Sequence, residues 1–75
     1  MVKYVIIIEK ALDGGYGGYV PDLPGCIGMG EDYDSALENT IEAIKFHIEG
    51  LHEEGMEVPA PNAKSETLIL TGHRR

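Results

Sequence analysis

The stretch GGYVPDLPGC, residues 17–26, places two prolines around an Asp-Leu pair, and the only cysteine of the chain follows. Proline fixes its own φ at about −65°, and Gly25 permits backbone conformations that other residues resist. Because a strand-like Tyr-Val pair leads into it, we interpret residues 21–25 as a rigid corner that joins two strands. The alternative is a catalytic loop that combines the carboxylate of Asp22 with the thiol of Cys26.

Strand-like segments lie on both sides of this corner. The β-branched run at residues 3–9 predicts a strand, and its nearly continuous apolarity predicts that both of its faces are covered. Residues 16–20 predict a second strand, which a turn centred on residues 13–15 joins to the first as a hairpin. Residues 26–30 predict a short third strand, and residues 66–71 predict a fourth.

One long helix is predicted between the third and fourth strands. Asp32 is the expected N-cap, because its carboxylate can accept from the backbone amide of Asp34 or Ser35, and Gly55 is the expected stop. Apolar residues recur at the 4-3-4-3 spacing of a buried helix face: Leu37, Ile41, Ile44, Ile48 and Leu51. The predicted fold class is therefore α+β, with β-β-β-α-β order. The helix is long enough for a crossover, so we expect a mixed sheet with one long helix on one face.

Length and charge limit the possible functions. With 75 residues, the chain is expected to form a single domain over residues 1–75. Its net charge of −7 argues against direct nucleic-acid binding, because phosphate contacts need clustered Lys and Arg. A single cysteine fits a reducing compartment, and the sequence shows neither a signal peptide nor an apolar run of about 20 residues. We expect a cytoplasmic protein that contacts no membrane.

The residues that could carry catalysis are better explained by structure. Cys26 lies far along the chain from the three histidines, and acidic residues follow it, so we expect a buried core cysteine. Asp22 is expected to accept hydrogen bonds from backbone amides, with contact to a partner as the alternative. Glu49 and His52 have the Glu-x-x-His spacing of di-iron bundles, but no second such motif is present. We therefore expect no catalytic residue, no metal site and no cofactor.

The predicted layers leave apolar surface uncovered. One helix covers part of one sheet face, whereas the first strand is apolar on both sides. We expect the open face or edge of the sheet to meet another copy of the chain or a partner, which predicts a homo-oligomer, either a dimer or a tetramer. Four aromatic residues are candidates for this surface, unless they merely border the core: Tyr4, Tyr16, Tyr19 and Phe46.

The segment YVPDLPGCIGMGEDYDSALENTIEAIKFHIEGL, residues 19–51, closely resembles the HicB-like antitoxin family of type II toxin-antitoxin systems. The resemblance rests on the corner at residues 21–26, on Gly30 before the helix and on the helix start at residues 36–39, and it extends over about residues 3–70. It implies a partial, degenerate ribonuclease H-like fold. Such nucleases need a carboxylate in the middle of the first strand to hold metal ions. Glu9 lies only at the end of this strand, so we expect no hydrolysis, and a residual nuclease is the least favoured alternative.

The resemblance also implies a partner. Members of the family neutralise HicA, a small basic toxin that cleaves messenger RNA using a histidine, and an acidic chain complements a basic protein. The expected partner-binding residues are Tyr19, Asp22, Asp32, Glu38 and Glu42. Complete antitoxins usually carry a C-terminal DNA-binding module, and we expect a short form that lacks it. The alternative function is an orphan oligomeric module with no toxin, which acts as a binding or scaffold domain.

Overall fold

A computed structural model describes residues 2–72 of the chain. It contains three strands and one helix: β1 (Ile7–Lys10), β2 (Tyr16–Tyr19), β3 (Ile27–Gly30) and α1 (Tyr33–Glu53). The strands form one antiparallel sheet in the order β1-β2-β3. Helix α1 packs on one face of this sheet, mainly against β3. The predicted α+β class, with one long helix on one face, is confirmed.

Strands β1 and β2 form the predicted hairpin. Its turn is closed by the amide of Ala11, which donates to the carbonyl of Gly15 at 2.6 Å, while Gly14 takes a φ of +97°. Strand β1 begins at Ile7 rather than at the predicted residue 3. The reason is that β2 ends at Tyr19, the partner of Ile7, and the chain then bends into the corner, so residues 3–6 have no strand to pair with.

The predicted fourth strand is wrong: within residues 2–72 the sheet has three strands, all antiparallel, and is not mixed. Residues 66–71 are irregular and exposed. The chain before them is held at the corner, where Asp22 accepts from the amides of Asn62 and Ala63 at 3.1 and 3.0 Å. Strand propensity describes how well side chains fit a neighbouring strand, and among residues 2–72 this segment has no neighbouring strand.

The helix meets the sheet through small residues. Ala36 and Thr40 are fully buried, and Thr40 lies directly over Gly18 and Gly28. At Gly28 a Cβ atom would lie 2.6 Å from the Cα of Thr40, so β3 requires glycine there. The apolar stripe that was predicted to be the buried face is only half-buried along its length: Leu37, Ile41, Ile44, Ile48 and Leu51.

The apolar core is small and lies under the corner. It is built on Val20, Leu23 and Cys26, all of which are buried. Four half-buried residues pack against this cluster from the extended segment before β1 and from the second half of the helix: Tyr4, Ile6, Ile44 and Ile48. The corner therefore holds the N-terminal segment and the helix together.

Candidate protein-interaction surface

The proline corner consists of two successive turns. The amide of Leu23 donates to the carbonyl of Val20, and the amide of Cys26 donates to the carbonyl of Leu23, both at 3.1 Å. A proline occupies the second position of each turn, and Gly25 takes a φ of +91° in the third position of the second turn, as a type II turn requires. The prediction that residues 21–25 form a corner between two strands is confirmed.

The thiol of Cys26 is part of the core. Its side chain is buried, and its Sγ lies 3.9 Å from the carbonyl oxygen of Ala43. Burial raises the pKa of this thiol above its ordinary value, which disfavours the reactive thiolate. The prediction of a buried core cysteine is confirmed. Among residues 2–72, no three His, Cys, Asp or Glu side chains gather closely enough to hold a metal ion.

Asp22 ties the corner to the segment that follows the helix. Its Oδ2 accepts from the backbone amides of both Asn62 and Ala63, which are about 40 residues further along the chain. The carboxylate therefore satisfies backbone donors, as the sequence predicted. The role of Asp22 as a partner contact stays a prediction.

Asp32 is the N-cap of α1, as predicted. Its Oδ1 accepts from the amide of Ser35 at 2.8 Å and from the Ser35 hydroxyl at 2.7 Å. The Ser35 hydroxyl oxygen in turn accepts from the amide of Asp32 at 3.3 Å, which completes a capping box. The hydrogen bond from the Ser35 amide, followed by that from its hydroxyl, lowers the pKa of the Asp32 carboxyl below its ordinary value. The ionised form is therefore the one that caps the helix.

Acid is expected to weaken this cap. A carboxyl group whose pKa is lower in the folded state stabilises the fold above its unfolded-state pKa, and that contribution disappears as the pH falls through the folded-state pKa. We expect the melting temperature of the wild type to fall more steeply than that of Asp32→Asn between about pH 5 and about pH 2, since asparagine caps without ionising. Thermal melts followed by circular dichroism measure this difference, and parallel pH profiles for the two proteins would contradict it.

An acidic surface with one aromatic residue runs along the exposed side of α1. Glu38 and Glu42 are exposed and lie on the side of the helix opposite Thr40, which faces the sheet. The i, i+4 and i, i+7 spacing of a helix continues this line through further residues. We call the resulting set the acidic helix face: Glu38, Glu42, Phe46, Glu49 and Glu53. Phe46 is 79% exposed at its centre, and Lys45 and His47 flank it in the chain.

A second exposed surface lies on the other side of the sheet. The registers place Ile7, Tyr19 and Ile27 in one row and Gly17 and Met29 in the next. These rows point away from the helix, because the helix covers the alternate residues Gly18 and Gly28. Ile27 and Met29 are 62% and 70% exposed. We call Ile7, Tyr19, Ile27 and Met29 the outer sheet face. Sequence reasoning missed Ile27 and Met29, although their alternation with Gly28 and Gly30 in β3 is the signal that could have identified them.

The structure does not gather the five predicted partner-binding residues into one patch. Tyr19 belongs to the outer sheet face, whereas Glu38 and Glu42 belong to the acidic helix face on the opposite side of the molecule. Asp22 and Asp32 lie at the two ends of the β3 region, and their carboxylates already accept internal hydrogen bonds. The structure therefore presents two separate surfaces to a partner.

The four candidate aromatic residues also divide into two groups. Tyr4 packs against the core and donates its hydroxyl hydrogen to the carbonyl of Pro59. Tyr16 is half-buried and meets Tyr33 edge to face, with 6.4 Å between the ring centroids. Tyr4 therefore borders the core, whereas Tyr16 packs on Tyr33 at the other end of the sheet. Tyr19 and Phe46 remain exposed.

The helix of the described residues is too polar to cross a bilayer.

Comparison with known proteins agrees with this arrangement. The family model described as "HicB_like antitoxin of bacterial toxin-antitoxin system" matches residues 4–69. The N-terminal domain of Burkholderia pseudomallei antitoxin HicB superposes with a TM-score of 0.74 at 39% identity, covering 81% of this chain and 72% of that one. A UPF0150 protein of Synechocystis is 43% identical over 76% of this chain and 72% of its own length.

A longer relative carries the antitoxin name itself. Antitoxin HicB 1 of Photorhabdus laumondii is 28% identical over 91% of this chain, a match that spans 44% of the longer protein. The family match covers all three strands, the corner and the helix. This chain belongs to the HicB-like antitoxin family of bacterial toxin-antitoxin systems.

Proposed function

We propose that this chain is a non-catalytic antitoxin that binds and neutralises a small, basic, mRNA-cleaving toxin of the HicA type. The family match supports the antitoxin role, and a net charge of −7 suits a basic partner. The proposal includes a cytoplasmic location, where the messenger RNA is, and no direct contact of this chain with nucleic acid. The β-β-β-α order supports a partial ribonuclease H-like fold as its origin.

The acidic helix face is the surface that we assign to the toxin. The observation that carries this choice is Phe46, which is 79% exposed among helix carboxylates. Exposed aromatic side chains commonly become the anchors of an interface, where they fill a pocket of the partner. Surrounding charges of one sign accelerate the encounter with a partner of the opposite sign. Glu38 and Glu42 would supply that charge, as the sequence predicted.

A second candidate function is the orphan oligomeric module, a binding or scaffold domain with no toxin. The outer sheet face favours it, because Tyr19, Ile27 and Met29 expose apolar surface of the kind that copies of a protein bury against one another. Under either function we propose a homo-oligomer, a dimer or a tetramer.

Recovery of the partner tests the proposed function directly. The chain is used as bait in a lysate of its native cell, and any small basic protein that it retains is assayed for cleavage of messenger RNA. We expect cleavage that stops when stoichiometric amounts of this chain are added. A lysate that yields only further copies of the chain would favour the orphan module.

Substitutions on the acidic helix face are expected to weaken toxin binding. Phe46→Ala should raise the dissociation constant about 30-fold, which corresponds to about 2 kcal/mol for a hot-spot residue. Glu38→Lys with Glu42→Lys should slow association about tenfold at low salt, and the effect should shrink at high salt. Surface plasmon resonance with the recovered toxin measures both quantities.

The control variant is Glu9→Lys, which makes one such Glu-to-Lys change at an exposed residue of β1, in the same row as the outer sheet face residue Met29. Its binding should match that of the wild type. If Glu9→Lys weakens binding and Phe46→Ala does not, the toxin contacts the sheet instead of the helix.

A further inference from the structure

One edge of the sheet is open and apolar. Strand β1 pairs with β2 on one side only, and residues 2–6 extend it without a partner strand. Beside this edge lies a groove of about 370 Å³ between the N-terminal segment and the second half of the helix. We call it the β1 groove. Its apolar walls are Val2, Tyr4, Ile44 and Ile48, and the side chains of Lys45, Glu49 and His52 complete its lining.

The β1 edge is apolar on both of its faces. Tyr4 and Ile6 face the core, where they pack against the buried cluster, and Ile8 shares their side of the strand. Val5 and Ile7 alternate with them and lie on the outer side; all five are only half-buried. An exposed, apolar strand edge is a template for another strand. The helix residues beside this edge, Ile44 and Ile48, are also only half-buried. One further apolar strand at this edge would cover both the strand and the helix residues.

The chain itself contains a strand-like segment that has no partner. Leu68, Ile69 and Leu70 are between 79% and 84% exposed, and they lie within a β-prone run, residues 66–71, which we call the tail segment. The tail segment forms no strand in the described structure. The family match extends to residue 69, so it includes residues 66–69 of the tail segment.

The path of the chain directs the tail segment away from its own β1 groove. Tyr4 and Asp22 hold residues 59–63 against the corner. Beyond Ala63 every residue as far as 72 is exposed, and the molecule reaches 57 Å along its longest axis but only 27 and 17 Å along the others. The segment is thus presented outward, where a second molecule can receive it.

We propose that the tail segment of one copy adds as a strand to the open β1 edge of a second copy, and that the exchange is reciprocal. Leu68 and Leu70 share one side of the added strand and Ile69 the other, which matches the two apolar faces of the β1 edge. Reciprocal exchange gives a closed dimer with twofold symmetry. This inference specifies the homo-oligomer of the proposed function, and it requires no toxin.

The first test measures the mass of the chain in solution. Light scattering on the wild-type chain of 75 residues should give twice the chain mass of 8.2 kDa. Leu68→Asp combined with Leu70→Asp should weaken the dimer at least about 100-fold, because two carboxylates would have to be buried against the apolar walls of the β1 groove. Ser65→Asp combined with Gly72→Asp adds the same charge on either side of the tail segment and should leave the dimer intact. A wild-type monomer at high concentration would overturn the proposal, as would equal weakening by both pairs of substitutions.

A cross-linking test identifies which chains touch. In a Cys26→Ser background, one preparation carries Ile7→Cys and a second carries Ile69→Cys; the two are mixed and treated with a short bismaleimide. We expect a covalent product of twice the chain mass that joins one chain of each kind. A third preparation carries both substitutions in one chain and tests whether the tail segment instead reaches its own β1. If that variant is cross-linked only within single chains, the tail segment closes on its own sheet and the exchange is wrong.

These measurements use the chain without any toxin. A dimer with exchanged tails that binds no toxin would therefore contradict the proposed function and retain the exchange. A monomer that neutralises the toxin would contradict the exchange and retain the proposed function.

Discussion

Replacing Gly28 with alanine is expected to remove most of the stability of the domain. A Cβ atom at this position would lie 2.6 Å from the Cα of Thr40, and Thr40 is fully buried in the middle of the helix. The obstruction is backbone, which cannot rotate away as a flexible side chain could, so the helix must move off β3. Overpacking of this kind costs about 3 kcal/mol, and a domain of this size is stabilised by only about 3–5 kcal/mol.

Urea unfolding followed by far-ultraviolet circular dichroism measures this effect, and two other glycines provide controls. Gly17→Ala introduces a Cβ whose nearest neighbour is the carbonyl oxygen of Gly28 at 4.0 Å, so a change of less than about 1 kcal/mol is expected. Gly50→Ala meets no atom within 4 Å and should stabilise the helix by up to about 1 kcal/mol. If Gly28→Ala is as stable as Gly17→Ala, the helix does not depend on the glycine contact.

Features set by neighbouring residues could be predicted from the sequence. The helix begins where Asp32 and Ser35 cap each other, three residues apart. It ends where Gly55 takes a φ of +70° and the amides of Gly55 and Met56 donate to the carbonyls of His52 and Leu51, as in a Schellman motif. In the same way, the two turns of the corner depend only on residues within it. Local chemistry determined all three features, so no knowledge of the tertiary structure was needed.

The buried face of the helix could not be predicted in this way. The spacing of large apolar residues correctly indicates an amphipathic helix, but the closest contact to the sheet is made by Ala36 and Thr40. The cause lies in other parts of the chain, because Gly18 and Gly28 create a depression that only a small helix residue and its backbone can enter. The larger residues stay half-buried, and of these Ile44 and Ile48 line the β1 groove.

The candidate binding residues show the same limit. Residue type identified Glu38 and Glu42 as acidic and Tyr19 as a surface aromatic, and all three are exposed. Only the strand register reveals that Tyr19 lies on the side of the sheet opposite the helix. Likewise, the backbone partners of Asp22 follow it by about 40 residues, so its structural role was predictable whereas the identity of its partners was not.

Leu23→Ala is expected to destabilise the domain by about 2–5 kcal/mol, the range for removing a buried leucine side chain. Leu23 is fully buried and occupies the centre of the small core cluster with Val20 and Cys26. Few other apolar residues are buried in the described structure, so little neighbouring side chain is available to fill the cavity. Denaturant unfolding of the full chain measures the change.

The matched control is Leu12→Ala, the same substitution at a fully exposed leucine in the hairpin turn, which should change stability by less than about 0.5 kcal/mol. Leu23→Met keeps the side-chain volume and should cost less than about 1.5 kcal/mol. Asp22 lies in the same corner and accepts from the amides of residues 62 and 63. A rearrangement of the corner in Leu23→Ala should break these hydrogen bonds and speed hydrogen exchange of the two amides. If the Leu23→Ala and Leu12→Ala proteins are equally stable, the corner is not the core of this fold, because loss of the Leu23 side chain would then cost no free energy of unfolding.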